Sequence, residues 1–174
     1  VSATLERLRD LIAAEGEPLA GELLAQVPPG AQPTVGAIAA AGPRAQADPH
    51  EYELLIEAIY EGYLLHYGDS RLLGAADPDL ALLAGDRLYT IGLERLVALG
   101  DLEAVRELAD VLALCALLSV RGEHASCDPL WRAGANAVGW GAPEGYRRAK
   151  DLARAGDAQA GAALRAAADA PAMA

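Results

Sequence analysis

The chain has 174 residues and a formal net charge of −11, from 25 acidic and 14 basic side chains, a field that repels phosphate backbones and anionic membrane surfaces, so no nucleic-acid partner is expected. Apolar residues make up 53%, Phe is absent and β-branched residues are few, which favours helices over sheets and predicts an all-α protein, a single domain overall, able to bury a core without disulfides or metal. The longest strongly apolar stretch, VLALCALLSV at 111–120, is about half of a membrane span, and no signal-peptide pattern opens the chain. The expectation is a soluble, cytoplasmic protein with no transmembrane segment.

A first helix is predicted at 3–26, followed by the Pro/Gly/Ala linker VPPGAQPTVGAIAAAGPRAQA, which completes an N-terminal region of 1–47. Two readings of the linker stand: a short helix from Thr34 to Ala41, or partial disorder. The helical bundle then occupies 48–174. Three Asp-Pro pairs mark helix starts, Asp48-Pro49, Asp77-Pro78 and Asp128-Pro129, because Asp serves as N-cap and Pro fits the first helical position, where no N–H is needed. Glu51 strengthens the first as in a capping box, and Asp101 after Gly100 gives a fourth start. Helices are expected at 49–66, 78–99, 101–121, 129–138, 143–155 and 157–169.

The apolar spacing puts Leu55, Ile59, Gly62 and His66 on one core face, Leu80, Leu83, Ala84, Leu88 and Ile91 on a second, and Leu108, Val111, Leu112, Cys115 and Leu118 on a third. The stretch ALLAGDRLYTIGLERL at 81–96 carries Gly85 and Asp86 inside a strong helix, although Gly costs roughly 0.5–1 kcal/mol there against Ala. Ala81, Gly85, Leu88 and Gly92 form a stripe rich in small residues that another helix backbone can approach closely. Asp86 needs a partner or water, and a polar contact across a helix interface is its simplest home.

Several constellations invite chemistry. Glu53, Glu57 and Glu61, four apart, line one helix face; a solvated face is expected, with a basic partner or a cation as the functional alternative. His66 sits near a helix C-terminus, where it would cap and interact with the helix dipole. Glu123, His124 and Cys127 are close in sequence, but adjacency in a loop does not position a base and an orienting group against a nucleophile. Cys115 and Cys127 have neither zinc nor redox spacing and are read as reduced thiols. Trp131, Trp140 and Tyr146 are read as core, with a partner-binding aromatic patch as the alternative. No catalytic, cofactor-binding or metal-ligating residue is assigned; Gly85, Asp86, Gly92, His66 and Glu123 are the candidate interface or structural polar positions.

The stretches EAIYEGYLLHYGDSR, LALLAGDRLYTIGLERLVALGD and LADVLALCALLSVRGEHAS, in that order, resemble the central helices of the all-α polyprenyl diphosphate synthases. LLAGDRLY followed by RGE carries the resemblance, which covers under half of the chain. In that family the His is followed by two aspartates and, three positions on, another, which bind Mg²⁺ and the allylic diphosphate. Here Tyr67 and Gly68 follow His66, Asp69 is out of register, and no second Asp-rich motif follows Arg121. The resemblance therefore points to the non-catalytic small subunit of heteromeric medium- or long-chain synthases, a helical bundle resembling a truncated isoprenoid synthase fold. It implies a regulatory subunit that pairs with a catalytic synthase and influences product chain length, with no cofactor of its own and Mg²⁺ only in the catalytic partner. The alternative is a free-standing all-α homo-oligomer, a homodimer in the simplest case, with no isoprenoid role. A third reading places a changed enzyme site around Glu57, Glu61, His66 and Asp69.

Overall fold

Local capping chemistry determines where three of the helices begin in the computed structural model of the chain, which describes residues 2–74 and 77–169. Helix α1 (Ala3–Ala14) starts on Ser2, whose Oγ accepts the Leu5 N–H. It stops far short of residue 26, because Gly16 adopts φ +77 and Pro18 follows. A 3₁₀ turn at Ala20–Glu22 comes next.

The linker contains a short helix, α2 (Val35–Ala40), and a 3₁₀ turn at Pro43–Ala45. Helix α3 (Pro49–Tyr67) begins at the first Asp-Pro pair. Helix α4 (Pro78–Ala98) begins at the second, with Asp77 accepting from the Asp79 N–H at 2.9 Å. Asp101 caps α5 (Leu102–Val120) by accepting the Ala104 N–H at 2.9 Å, after Gly100 has turned the chain at φ +80.

At the third Asp-Pro pair the expectation fails. A 3₁₀ turn at His124–Ser126 runs straight into α6 (Cys127–Trp140), so the helix starts two residues early and Pro129 lies inside its first turn, where its missing N–H again costs nothing. Helix α6 continues to Trp140 and ends where Gly141 takes φ +91. Helices α7 (Glu144–Ala155) and α8 (Ala160–Asp169) complete an all-α chain, with eight α-helices among the described residues. Among these residues the only β pairing is an isolated bridge between Leu23 and Leu73. No described helix is long and apolar enough to cross a membrane.

The chain divides into two compact units, Val1–Ala37 with His50–Leu99, and Ile38–Pro49 with Gly100–Ala174. In the first, α1, α3 and α4 bury Leu5, Leu8, Ile12, Leu54, Ala58, Ala84 and Leu88 together with Leu72 and Leu73 from the segment after α3. In the second, α6 packs on α5 and α8, and α7 packs on α8, around Leu108, Val111, Leu130, Trp131 and Tyr146. Gly42 and Gly139 bring two backbones of this unit into direct contact, where a Cβ on Gly139 would lie 3.2 Å from Ala39 Cα.

The expected core faces of α4 and α5 are buried for the most part, with Leu80, Leu83 and Leu112 as the departures. On α4, Leu83 is 65% exposed, because the buried face is Ala84, Gly85, Leu88, Ile91, Gly92 and Leu96, centred on the two glycines that admit α3. Leu80 is half-buried beside it. On α5, Leu114 is buried and the expected Leu112 is half-buried.

Candidate functional site

The crossing of α3 and α4 explains the Gly-Asp pair. Gly62 of α3 lies against α4 so closely that a Cβ there would be 2.8 Å from the Gly85 carbonyl oxygen. One on Gly85 would meet the His66 ring and lie 2.9 Å from the Gly62 carbonyl oxygen. One on Gly92 would meet Ile59 and lie 2.9 Å from the Leu55 carbonyl oxygen. No side chain larger than hydrogen fits these positions at the observed helix separation. Within this crossing His66 lies in the last turn of α3, its Nε2 3.2 Å from Asp86 Oδ1 without an aligned hydrogen bond, and its ring stacks on Tyr89 at 5.2 Å. Asp86 is 69% exposed, so water completes its solvation. Along α3 the rings of Tyr60, Tyr63 and Tyr67 continue in sequence at 5.8 and 5.4 Å.

The acidic row of α3 is not the solvated face expected from its spacing. Glu57 and Glu61 are fully buried and Glu53 is half-buried. The chain turns back after α3 and delivers Arg71 between the two carboxylates, Nη1 to Glu57 Oε2 at 2.7 Å and Nε to Glu61 Oε2 at 2.8 Å. Glu57 Oε1 also accepts the Thr34 and Gly36 N–H groups, each at 2.7 Å. Glu61 Oε1 accepts the Ser70 hydroxyl at 2.6 Å and the Arg71 N–H at 2.7 Å. The Arg71 guanidinium lies over the Tyr60 ring at 5.2 Å. Burial pushes the Glu57 carboxyl above its ordinary range even though Arg71 and the two N–H groups pull it down. Burial likewise disfavours the Arg71 charge, but the two carboxylates outweigh it and raise its pKa. Both carboxylates are engaged by the chain's own donors, and the knot ties residues 32–36 and 70–72 to α3.

No known protein family, curated protein or solved structure matches this chain.

A second ionic cluster lies in the other unit. Lys150, the only lysine of the chain and 6% exposed, sets its Nζ 2.6 Å from Glu107 Oε1 and 2.8 Å from Asp110 Oδ2, above the Tyr146 ring at 4.7 Å. Asp110 also pairs with Arg154. Partial burial pushes the Asp110 carboxyl up, but Arg154 and Lys150 together hold it below the usual aspartate range. Burial, then the neighbouring Glu107 carboxylate, pushes the Tyr146 hydroxyl far up. Cys127 donates to the Cys115 carbonyl oxygen at 3.9 Å. Its side-chain interaction with Cys127, then burial, keeps the Cys115 thiol protonated well beyond the ordinary thiol range. Both cysteines are free and buried, whereas His124 is exposed. Glu123 is half-buried in the turn before α6, its N–H donating to the Leu118 carbonyl at 2.8 Å and its carbonyl accepting the Ser126 N–H at 2.9 Å. Trp131 and Tyr146 are buried and Trp140 is half-buried. Among the described residues no three acidic, His or Cys side chains gather as they would around a metal ion.

Arg71 and Lys150 are the residues that sequence reasoning missed, and each carried a signal. Arg71 is the only Lys or Arg between Arg44 and Arg87, a stretch rich in Glu and Asp. A single cation in so acidic a stretch is a natural counter-charge for carboxylates that lie on an apolar helix. Lys150 is alone of its kind in a chain that otherwise uses arginine.

Proposed function

We propose that this chain is a non-catalytic helical subunit that pairs with a catalytic polyprenyl diphosphate synthase and influences the length of its product. The observation that carries the reading is the internal use of the α3 carboxylates. Glu57 and Glu61 are held by Arg71, Ser70 and backbone N–H groups. To hold Mg²⁺ against a diphosphate they would have to leave these short hydrogen bonds. The changed enzyme site around Glu57, Glu61, His66 and Asp69 loses its two principal ligands in this way. The second support is the resemblance in LLAGDRLY and RGE, whose Gly85 and Asp86 take part in an intimate crossing with α3. On this reading the helical bundle is a reduced isoprenoid synthase fold, and Mg²⁺ belongs to the partner.

The test is to co-express the chain with the polyprenyl synthase of the same organism and to assay each alone and both together. A stable complex with a changed product length is expected. Separate elution and an unchanged product would overturn the proposal. The homo-oligomer reading keeps a place because α4 leaves Leu82 and Leu83 exposed, and an exposed apolar helix face is a pairing surface for any partner.

A further inference from the structure

The outward face of α4 repeats at a seven-residue spacing. Leu83, Thr90 and Val97 are all exposed, and seven residues make nearly two helical turns, so they form one straight stripe. Arg87 and Glu94, also seven apart and exposed, run along one flank of that stripe. The arrangement is symmetric about its middle. A two-fold axis through Thr90 exchanges Leu83 with Val97 and, within half a residue, Arg87 with Glu94.

That symmetry selects the occupant. A closed pair of identical chains meets through the same patch on both copies, each residue facing its symmetry mate. In an antiparallel pair centred on Thr90, Leu83 packs on Val97 of the second copy and Arg87 faces Glu94, twice over. Both flank charges retain capacity for such a contact. Arg87 gives its Nε to Glu15 at 2.6 Å and reaches Glu94 of its own helix only at 3.9 Å. Asp86, on the other flank, falls level with Leu93 of the second copy, and His66 lies 3.2 Å from its carboxylate.

We propose that, without another partner, two copies of this chain pair antiparallel along the outward face of α4, centred on Thr90. The proposal is independent of the synthase partnership, since it concerns the purified chain alone. Light scattering across a concentration series should give twice the 18.0 kDa of one chain. Arg87→Glu or Glu94→Arg alone should weaken pairing at least tenfold, while the double reversal restores it to within a few-fold. Far-UV circular dichroism checks that each variant keeps its helices. Mild oxidation supplies a second measurement. Thr90→Cys should cross-link between copies and Leu83→Cys should not, with Cys115 and Cys127 buried and out of reach. A wild-type chain that stays monomeric at high concentration overturns the proposal. So does a dimer indifferent to the single reversals, or one that cross-links as readily through Leu83→Cys as through Thr90→Cys.

Discussion

Arg71 pairs with two carboxylates that lie fully buried in the first unit. Removing one partner of a buried ion pair strands the other in a medium that cannot solvate it, which costs about 3–5 kcal/mol. Arg71→Met should therefore lower stability by about that amount in urea titration followed by circular dichroism, a large share of the roughly 5–15 kcal/mol that holds a typical domain together. A loss below about 1 kcal/mol would mean that Glu57 and Glu61 do not depend on the guanidinium. Asp110 supports the second unit by a different route. Its pKa is lowered on folding from 3.8, so its contribution is complete above that value and disappears as pH falls through the lower folded one. Asp110→Asn should lower the unfolding midpoint at pH 7, read by tryptophan fluorescence, and the gap to wild type should narrow as pH drops below 3.8. Glu57 has the opposite sign. Its raised pKa makes its ionised burial a cost at neutral pH that acidification relieves.

At the scale of elements, glycine has two meanings in one chain, and alanine scanning separates them. Alanine is the better helix former by about 1 kcal/mol, so where a helical glycine faces open space the substitution should stabilise. Gly145 in α7 is such a position, with open space where the methyl group of an alanine would stand. Gly145→Ala should raise stability by about 0.5–1 kcal/mol. Gly85→Ala gains the same propensity but drives a methyl into the His66 ring and the Gly62 carbonyl. It should be net destabilising by about 1–3 kcal/mol, the usual cost of overpacking. Equal thermal shifts for the two variants would refute the close-crossing account of the Gly-Asp pair. The limits of α3, α4 and α5 were legible because their causes are local. Asp77 and Asp101 cap within three residues of themselves, and Gly100 and Gly156 supply positive φ where helices end. The start of α6 was not, since it depends on the turn at 124–126 that leads into it.

The whole molecule carries 25 acidic side chains against 14 basic, a composition whose isoelectric point falls near pH 4.6. Self-repulsion is weakest there, so solubility measured by light scattering should pass through a minimum close to that pH. A minimum displaced by more than about one unit would point to buried carboxylates whose perturbation outweighs the composition. The acidic excess is unevenly exposed: Glu57 and Glu61 are withdrawn into the first unit around Arg71, and Glu107 and Asp110 partly into the second around Lys150.

What the sequence by itself determined is the helical class, most helix limits, the room that Gly85 gives a neighbouring helix, and the need of Asp86 for a partner or water, since these follow from composition, capping residues and 3.6-residue periodicity. It also made the cysteines legible as free thiols, which the structure leaves buried. The tertiary structure alone decided which carboxylates are solvated. The spacing of Glu53, Glu57 and Glu61 describes a helix face but not what covers it. That cover comes from the chain reversal after α3, which carries Arg71 back ten and fourteen residues to Glu61 and Glu57. It also decided which leucines of α4 stay outside. Leu83 and Leu88 carry the same side chain, and only the close approach of α3 along Gly85 and Gly92 determines that one faces the core and the other does not.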